Sequence, residues 1–142
     1  GSLHDRLMES GAELVLKTVL AIQEGDFTVK QQQHKPDLKP APKLTRETCR
    51  IDWTKTIEEV YNFVRGLSPY PAAWTVISKK EYKIYRISSY SRGISLKPGE
   101  FETDNKTYLR MQCGDGMVDV LELQPEGKKR MKTEVFLRGN DL

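Results

Sequence analysis

The hydrophobic residues in the first part of the chain recur every three to four positions, the spacing of one face of a helix. This stripe consists of Leu3, Leu7, Leu14, Val15, Leu20 and Ile22. The pattern predicts a helix over residues 3–24, with Ser2 as its N-terminal cap and Gly25 as a left-handed C-terminal cap. The stripe is wide for an isolated helix, so we expect this helix to be the last one of a larger domain.

A second amphipathic helix is predicted in the stretch TIEEVYNFVRGL, residues 56–67, after a proline-rich segment. Thr56 and Glu59 have the spacing of a capping box, and Gly66 is expected to end the helix. Near the C-terminus, the run KTEVFLRG predicts a short helix that Thr133 caps and Gly139 closes.

Between these two helices, five short runs have the composition and alternation of strands. They are WTVI, YKIYRISSY, FETD, TYLRMQC and MVDVLELQ. The CGDG sequence at residues 113–116 is a tight hairpin signal between the last two. Alternation in the second run places Tyr82, Ile84 and Arg86 on one face and Lys83, Tyr85 and Ile87 on the other.

Short strands, tight turns and two helices predict an α+β fold, a small OB-like open β-barrel with helices. One long N-terminal helix and an extended linker precede it. We therefore divide the chain into a terminal helix at 1–26, a basic proline-rich linker at 27–43 and a domain at 44–142. The prolines stiffen the linker without supplying a core. Its lysines are either solvated or arranged as a strap along a phosphate backbone.

Positive charge is concentrated after the first helix. The whole chain has a net charge of +3, with 23 Lys and Arg against 20 Asp and Glu. Residues 1–26 contain two cations and five anions, which leaves 21 cations and 15 anions in residues 27–142. Lys128, Lys129 and Arg130 follow one another directly after a Pro-Glu-Gly turn. This asymmetry favours an anionic partner, nucleic acid first, although a merely solvated basic surface is an equal alternative.

The sequence contains no recognisable catalytic or metal-binding motif. His4 and His34 have no cysteine or carboxylate at ligand spacing, so no metal site and no resident cofactor are predicted. No phosphate-binding loop, dinucleotide fingerprint or nucleophile elbow occurs. Cys113 belongs to the turn signal and has no histidine near it in sequence, so a turn is favoured over a nucleophile.

Two features predict the cellular compartment. No apolar run approaches the roughly 18 residues of a membrane span, and no signal peptide is visible. Cys49 and Cys113 are far apart and do not suggest a disulfide framework. We therefore expect a cytoplasmic protein without a membrane partner.

Several landmarks together resemble one known family. They are LHDRLMESGAELVLKTV, APKLTRETCRIDW, VRGLSPYPAAW, CGDGMVDVLELQPEGKKRM and FLRG, in this order. Over nearly the whole chain they are similar to the C-terminal portion of the methionyl-tRNA formyltransferase family. The loop SSYSRGISLKPGEF matches more loosely.

The resemblance implies an enzyme that transfers a formyl group from 10-formyltetrahydrofolate, its co-substrate, to the amino group of methionine on initiator tRNA. It implies that the catalytic residues lie in an N-terminal domain in cis, so this part alone is expected to be inactive. Residues 1–26 would be the last helix of that domain, and residues 44–142 would bind the tRNA. The tRNA-binding residues would be Lys39, Lys43, Arg46, Arg65, Lys128, Lys129 and Arg130.

Some roles stay open at this point. Arg65 is either a phosphate contact or the partner of a carboxylate near its helix end. Trp53 and Trp74 are more typical of a core than of base stacking. The alternative functions are a module of another folate-dependent formyltransferase or hydrolase, a generic single-strand-binding OB domain and a protein-interaction domain. Tyr82, Tyr85 and Tyr108 keep the single-strand alternative open.

Overall fold

The computed structural model describes residues 1–33, 36–90 and 96–142, with the side chain of Tyr90 excepted. These residues form two units, Gly1–Lys43 and Leu44–Leu142. The loop SSYSRGISLKPGEF and the residues His34 and Lys35 lie partly or wholly outside the described residues.

The first unit contains helix α1, Ser2–Glu24. Gly25 ends it in the left-handed conformation with φ 74°, as predicted. Ser2 does not cap the helix: it is itself helical, the capping position falls on Gly1, and no side chain caps this end. No residue of α1 is buried. Its origin in a larger domain stays a prediction.

Helix α2, Ile57–Leu67, opens the second unit after a short 3₁₀ turn at Glu47–Cys49. The capping box is confirmed, because the Glu59 amide donates to the Thr56 hydroxyl at 3.2 Å and the Thr56 amide donates to Glu59 Oε2 at 3.0 Å. Gly66 does not end the helix. The helix continues to Leu67, whose side chain packs in the core, and Ser68 is the C-cap.

In the part of the chain that the structure describes, six antiparallel strands form one sheet. They are β1 Ala73–Ile77, β2 Lys80–Tyr90, β3 Phe101–Thr103, β4 Leu109–Gln112, β5 Met117–Pro125 and β6 Met131–Lys132. The five predicted strands are confirmed, whereas β6 was not predicted. The strand order is β1-β2-β5-β4-β3, and β6 pairs with β5 beyond the end of β4. The curled sheet and its helices confirm the predicted α+β, OB-like fold.

The core lies between this sheet and α2, whose residues Val60 and Val64 pack against the inward residues of the strands. Helix α3, Thr133–Leu137, contributes Phe136 and Leu137 to the same core. Thr133 does not cap α3: its hydroxyl donates to the carbonyl of Val120 at 2.6 Å, and Lys132 occupies the capping position. This buried hydrogen bond attaches the start of α3 to β5.

The predicted alternation of the two faces along β2 is interrupted after Ile84. Ile84 and Ile87 are both buried, at 0% and 4% exposure, whereas Arg86 is exposed. The reason is a local irregularity in the β2–β5 ladder. Arg86 opposes Glu122, and this pair is shifted by one residue from the register that the pairs before and after it share. Period-two counting through this point therefore assigned Arg86 and Ile87 to the wrong faces.

Candidate nucleic-acid interface

Alternate residues of β1 and β2 point away from the core. Ala73, Thr75, Ile77, Tyr82 and Ile84 are buried. The intervening Trp74 and Lys83 oppose each other, and Lys83 opposes Gln124 of β5. Directly opposed residues project to the same side of a sheet. We call the side of β1, β2, β5 and β6 that carries Trp74, Lys83 and Gln124 the outer face.

Among the residues that the structure describes, seven cations contact this outer face or project from it. They are Arg46, Arg50, Lys83, Arg86, Lys128, Arg130 and Lys132. Two carboxylates, Glu81 and Glu122, pair with members of this group, and a third, Glu126, lies in the same exposed turn as Lys128.

The first corner of the outer face is built around Trp74. The guanidinium carbon of Arg46 lies 5.0 Å from the centroid of the indole ring, and that of Arg50 lies 5.5 Å away. The indole Nε1 donates to the carbonyl of Arg46 at 2.7 Å, and the Arg46 side chain forms an ion pair with Glu81. Cation–π contact and hydrogen bonding thus fix the main chain that enters the domain from the proline-rich segment.

The second corner is built around Glu122. Nε of Arg130 donates to Glu122 Oε2 at 2.8 Å, and Nη2 of Arg86 lies 3.5 Å from Oε1. The guanidinium carbon of Arg130 also lies 4.5 Å from the centroid of the Tyr85 ring. The hydrogen bond from Arg130, with the charges of Arg86 and Lys132, holds the pKa of Glu122 below its usual value. Glu122 therefore stays ionised between the two arginines.

The segment after β5 is attached to both corners. The Tyr85 hydroxyl donates to Gln124 Oε1 at 2.6 Å, and Gln124 Nε2 donates to the carbonyl of Lys128 at 2.7 Å. The amide of Glu126 donates to the carbonyl of Glu81 at 3.3 Å, beside the ion pair of Arg46. The outer face therefore carries the basic turn and the entry of the chain on one continuous surface.

The structure brings three of the predicted site residues to the outer face. Arg46 and Arg130 contact it through their side chains, whereas Lys128 contacts it through its main-chain carbonyl and has its Nζ 3.5 Å from Asn140 Oδ1. Lys129 follows Lys128 in the same exposed turn and has no side-chain partner among the described residues. Two of these three residues form ion pairs with acidic residues: Arg46 pairs with Glu81, and Arg130 pairs with Glu122. These pairs are partly solvent-exposed rather than buried, so the guanidiniums remain accessible to a ligand.

Arg65 lies elsewhere, on α2. Its Nη2 donates to Asn62 Oδ1 at 2.9 Å, and its guanidinium carbon lies 5.7 Å from the ring of Tyr61. Both partners belong to its own helix, and neither is a carboxylate. Lys39 and Lys43 are exposed residues of the first unit. Their contribution to the site stays a prediction, as does any phosphate contact of Arg65.

Sequence reasoning missed four cations of the outer face, Arg50, Lys83, Arg86 and Lys132. The signal for Lys83 was available, because alternation placed it opposite the apolar Tyr82 and Ile84. Arg86 could not be assigned because the ladder irregularity reverses its face. Lys132 could not be assigned because β6, two residues long, was not recognised.

The tyrosines that kept single-strand binding open do not offer free rings. Tyr82 is buried, with its ring edge-on to Phe136 at a centroid distance of 5.5 Å. Arg130 covers Tyr85, and the guanidinium carbon of Arg110 lies 4.1 Å from the centroid of Tyr108. Base-stacking platforms require exposed aromatic faces. These rings instead support arginines, so the face is suited to phosphate.

The tryptophans also have structural partners. Trp53 is buried, and its Nε1 donates to the hydroxyl of Thr75 at 2.8 Å, which confirms the expected core position. Trp74 is half-buried and packs against the core while the arginines lie over its ring.

Residues 113–116 form the predicted turn, and the structure gives Cys113 no catalytic environment. Its thiol is completely buried, and this burial, with the nearby charge of Asp115, raises its pKa to about 12. Among residues 1–33, 36–90 and 96–142, no cluster of His, Cys, Asp and Glu could hold a metal ion. The same residues include no helix that is long and apolar enough to cross a bilayer.

The matching family model and the most similar relatives indicate the same family. Residues 43–141 match the model of the formyl transferase C-terminal domain. The chain is 46% identical over 145 residues to methionyl-tRNA formyltransferase of Bacteroides fragilis, covering 96% of this chain and 45% of that protein. It is 39% identical over 143 residues to the enzyme of the same name from Bacillus licheniformis, covering 100% and 45%. The chain thus spans about half the length of these relatives.

Solved structures give a likeness of fold. The chain matches HypX from Aquifex aeolicus with a TM-score of 0.62 and 21% identity, over 89% of this chain and 22% of HypX. The structure of HypX with tetrahydrofolic acid matches with a TM-score of 0.60 and 21% identity, over 88% and 22%.

Proposed function

The chain belongs to the formyl transferase C-terminal domain family, and from this premise we propose that it is the tRNA-binding part of a methionyl-tRNA formyltransferase. The whole enzyme would transfer the formyl group of 10-formyltetrahydrofolate to the amino group of methionine on initiator tRNA. The formyl-transfer centre and the folate site would lie in an N-terminal domain in cis, and residues 1–26 would be its last helix. Such an enzyme would act in the cytoplasm.

The observation that carries this proposal is the charge of the outer face. Among the described residues, seven cations contact or project from one side of a four-stranded part of the sheet, together with the carboxylates Glu81, Glu122 and Glu126. Lysines and arginines that neutralise phosphates release bound counterions, which supplies affinity without sequence readout. The outer face would thus bind the tRNA backbone, while discrimination of the initiator would depend on the catalytic domain.

The alternatives have less support. A generic single-strand binder would need exposed rings, whereas Tyr82 is buried and Tyr85 and Tyr108 are covered by arginines. Another formyltransferase or hydrolase would have a similar fold, but the curated relatives of this chain carry the tRNA enzyme's name. The exposed apolar residues of α1 would suit a protein contact, but they are equally expected of a helix that packs on a catalytic domain in cis.

The proposal is tested by filter binding of the 142-residue chain to initiator tRNA and to polyuridine at 50 and 200 mM salt. We expect salt-dependent binding that favours tRNA over polyuridine. Replacing Lys128, Lys129 and Arg130 together by alanine should weaken tRNA binding roughly tenfold to a hundredfold and flatten the salt dependence by about one counterion per lost phosphate contact. Lys106→Ala, in the exposed turn between β3 and β4, is the single-charge control and should change little.

Equal affinity for tRNA and polyuridine would support the single-strand alternative. Absence of tRNA binding at 50 mM salt, or an unchanged affinity of the triple variant, would contradict the proposed interface.

A further inference from the structure

Glu122 is a carboxylate at the centre of a surface that we assign to a polyanion, where a negative charge is unfavourable for binding. Its side chain is only 18% exposed, because Arg130 and Arg86 cover its two oxygens. Arg130 donates to Oε2 through both Nε and Nη2. A carboxylate whose only role was to reduce the net charge of the surface would not need to contact both arginines.

The contacts fix the position of Arg130 in particular. A guanidinium has five N–H donors in a rigid plane. Glu122 occupies donors on two of its nitrogens, and the Tyr85 ring lies 4.5 Å from its central carbon. Nη1 has no partner among the described residues, so part of the guanidinium is held in place and part is free to donate.

Arg86 complements this arrangement. Its Cα opposes that of Glu122 in the β2–β5 ladder, and its Nη2 is 3.5 Å from Oε1. The side chain is otherwise without a partner among the described residues, and it is 57% exposed. One carboxylate thus holds two guanidiniums side by side, with unused donors on both.

We propose that Glu122 is a positioning residue for RNA binding, which holds Arg86 and Arg130 as a preorganised pair for one phosphate group of the RNA backbone. This inference rests on the proposed function. Preorganisation lowers the entropy lost when long side chains are immobilised on binding, and that gain exceeds the cost of one added negative charge. A phosphate with several acceptor oxygens suits two adjacent guanidiniums.

The chain offers a matched control in Glu126. It is an exposed carboxylate in the turn after β5, close in sequence to Glu122, and its side chain has no partner among the described residues. Glu126→Gln and Glu122→Gln change the net charge equally. Removing a negative charge should tighten RNA binding at either position. A loss of affinity in Glu122→Gln but not in Glu126→Gln therefore reports on the contacts of Glu122 and not on charge.

The experiment measures tRNA affinity of the full chain and its variants by filter binding at two salt concentrations. We expect Glu122→Gln to bind tRNA about threefold to tenfold more weakly, because a glutamine has one acceptor oxygen and cannot serve both arginines. Glu126→Gln should bind slightly more tightly. Glu122→Asp, which keeps the charge but shortens the side chain, should also lose affinity. Thermal unfolding of each variant checks that it is folded.

A double-mutant cycle with Arg130→Ala provides the readout that a purely structural role would not move. If Glu122 acts through Arg130, the effect of Glu122→Gln on tRNA affinity should largely disappear when Arg130 is already alanine. Additive effects, or tighter binding by Glu122→Gln, would overturn the inference while leaving the proposed function intact. If the unmodified chain does not bind tRNA, the proposed function itself has failed.

Discussion

Two turns lie at opposite ends of β5 and use polar residues differently. The first turn, residues 113–116, leads into β5, and its polar groups contact the N-terminal end of α2. The Gly114 amide donates to the carbonyl of Lys55 at 2.8 Å, and Asp115 Oδ1 accepts from the amide of Ile57 at 2.7 Å. The second turn, residues 125–130, follows β5 and exposes Lys128, Lys129 and Arg130.

Both turns are glycine-containing and charged in sequence, yet they have different physical roles. In the first turn, Asp115 satisfies a backbone donor of α2 that the helix cannot satisfy itself. In the second turn, the Gln124 side chain holds the loop through the carbonyl of Lys128, and Glu122 holds one side of the Arg130 guanidinium, whereas Lys129 is left to solvent. A surface suited to a ligand differs from a structural contact in this respect: its main chain is fixed, and some of its side-chain hydrogen-bond donors remain available.

The largest expected effect is on the first turn. A Cβ on Gly114 would lie 2.3 Å from the carbonyl oxygen of Thr54 and 3.1 Å from that of Lys55, both main-chain atoms. Gly114→Ala should therefore destabilise the domain by roughly 2–4 kcal/mol, a decrease of about 10 °C or more in the thermal midpoint.

The control is Gly127→Ala in the second turn. Gly127 has φ 70° and no atom within 4 Å of a Cβ, so its cost should be only about 1 kcal/mol. Similar midpoints for the two variants, measured by calorimetry, would contradict the contrast between the turns.

The next effect concerns the cap that the first turn provides. Asp115→Ala removes the acceptor of the Ile57 amide and should cost about 1 kcal/mol of unfolding free energy in denaturant titrations. Asp115→Asn keeps an acceptor oxygen and should cost less. Neither variant should change the tRNA affinity of the folded protein, and a change comparable to that of the basic-turn variants would remove the distinction.

A smaller effect is expected at Lys83, which sequence reasoning had not included. Lys83 lies between Trp74 and Gln124 on the outer face, and it is exposed. Lys83→Ala should weaken tRNA binding about twofold to fivefold and leave stability nearly unchanged. Fluorescence titration against tRNA measures this, with Lys106→Ala as the control. Equal affinities of the two variants would show that the central outer face makes no contact.

The smallest expected effect is at Cys113, whose thiol should not react with an alkylating reagent in the native protein. Burial raises the pKa of Cys113 to about 12, so its thiol should stay protonated and unmodified by iodoacetamide at pH 8.5 in the native protein. The thiol should react after unfolding in denaturant. Mass spectrometry with peptide mapping detects the modification, and rapid native labelling of Cys113 would show that the first turn opens readily.

Prediction from sequence succeeded where local rules decide the structure. The Thr56–Glu59 capping box, the left-handed Gly25 and the five longer strands follow from propensity and spacing. It failed where tertiary contacts decide, as at Thr133, whose hydroxyl bonds to Val120 rather than capping α3. Gly66 is similar, because core packing of Leu67 accompanies one further helical residue.

For the candidate site, the basic turn could be predicted because its three cations are consecutive. The assembly of the outer face could not, because it joins residues from four strands and from the segment before α2. Arg46 reaches Glu81, 35 positions later, and Arg130 reaches Tyr85 on a strand that is not adjacent in sequence. Such juxtapositions depend on strand order, which periodicity alone does not specify.

The irregularity between β2 and β5 has a consequence for the tolerance of this domain to insertions and deletions. Ile87 pairs with Val120 in the same register as Tyr82 with Pro125, so the departures in the two strands cancel. Loss of Tyr85 alone would place Ile84, Arg86 and Ile87 in regular alternation and leave Leu121 as the one extra residue, a bulge in β5. Loss of both Tyr85 and Leu121 would leave this part of the ladder without extra residues and would remove the ring beneath Arg130. Deletions at this point should therefore be tolerated better than deletions in the regular parts of the same strands.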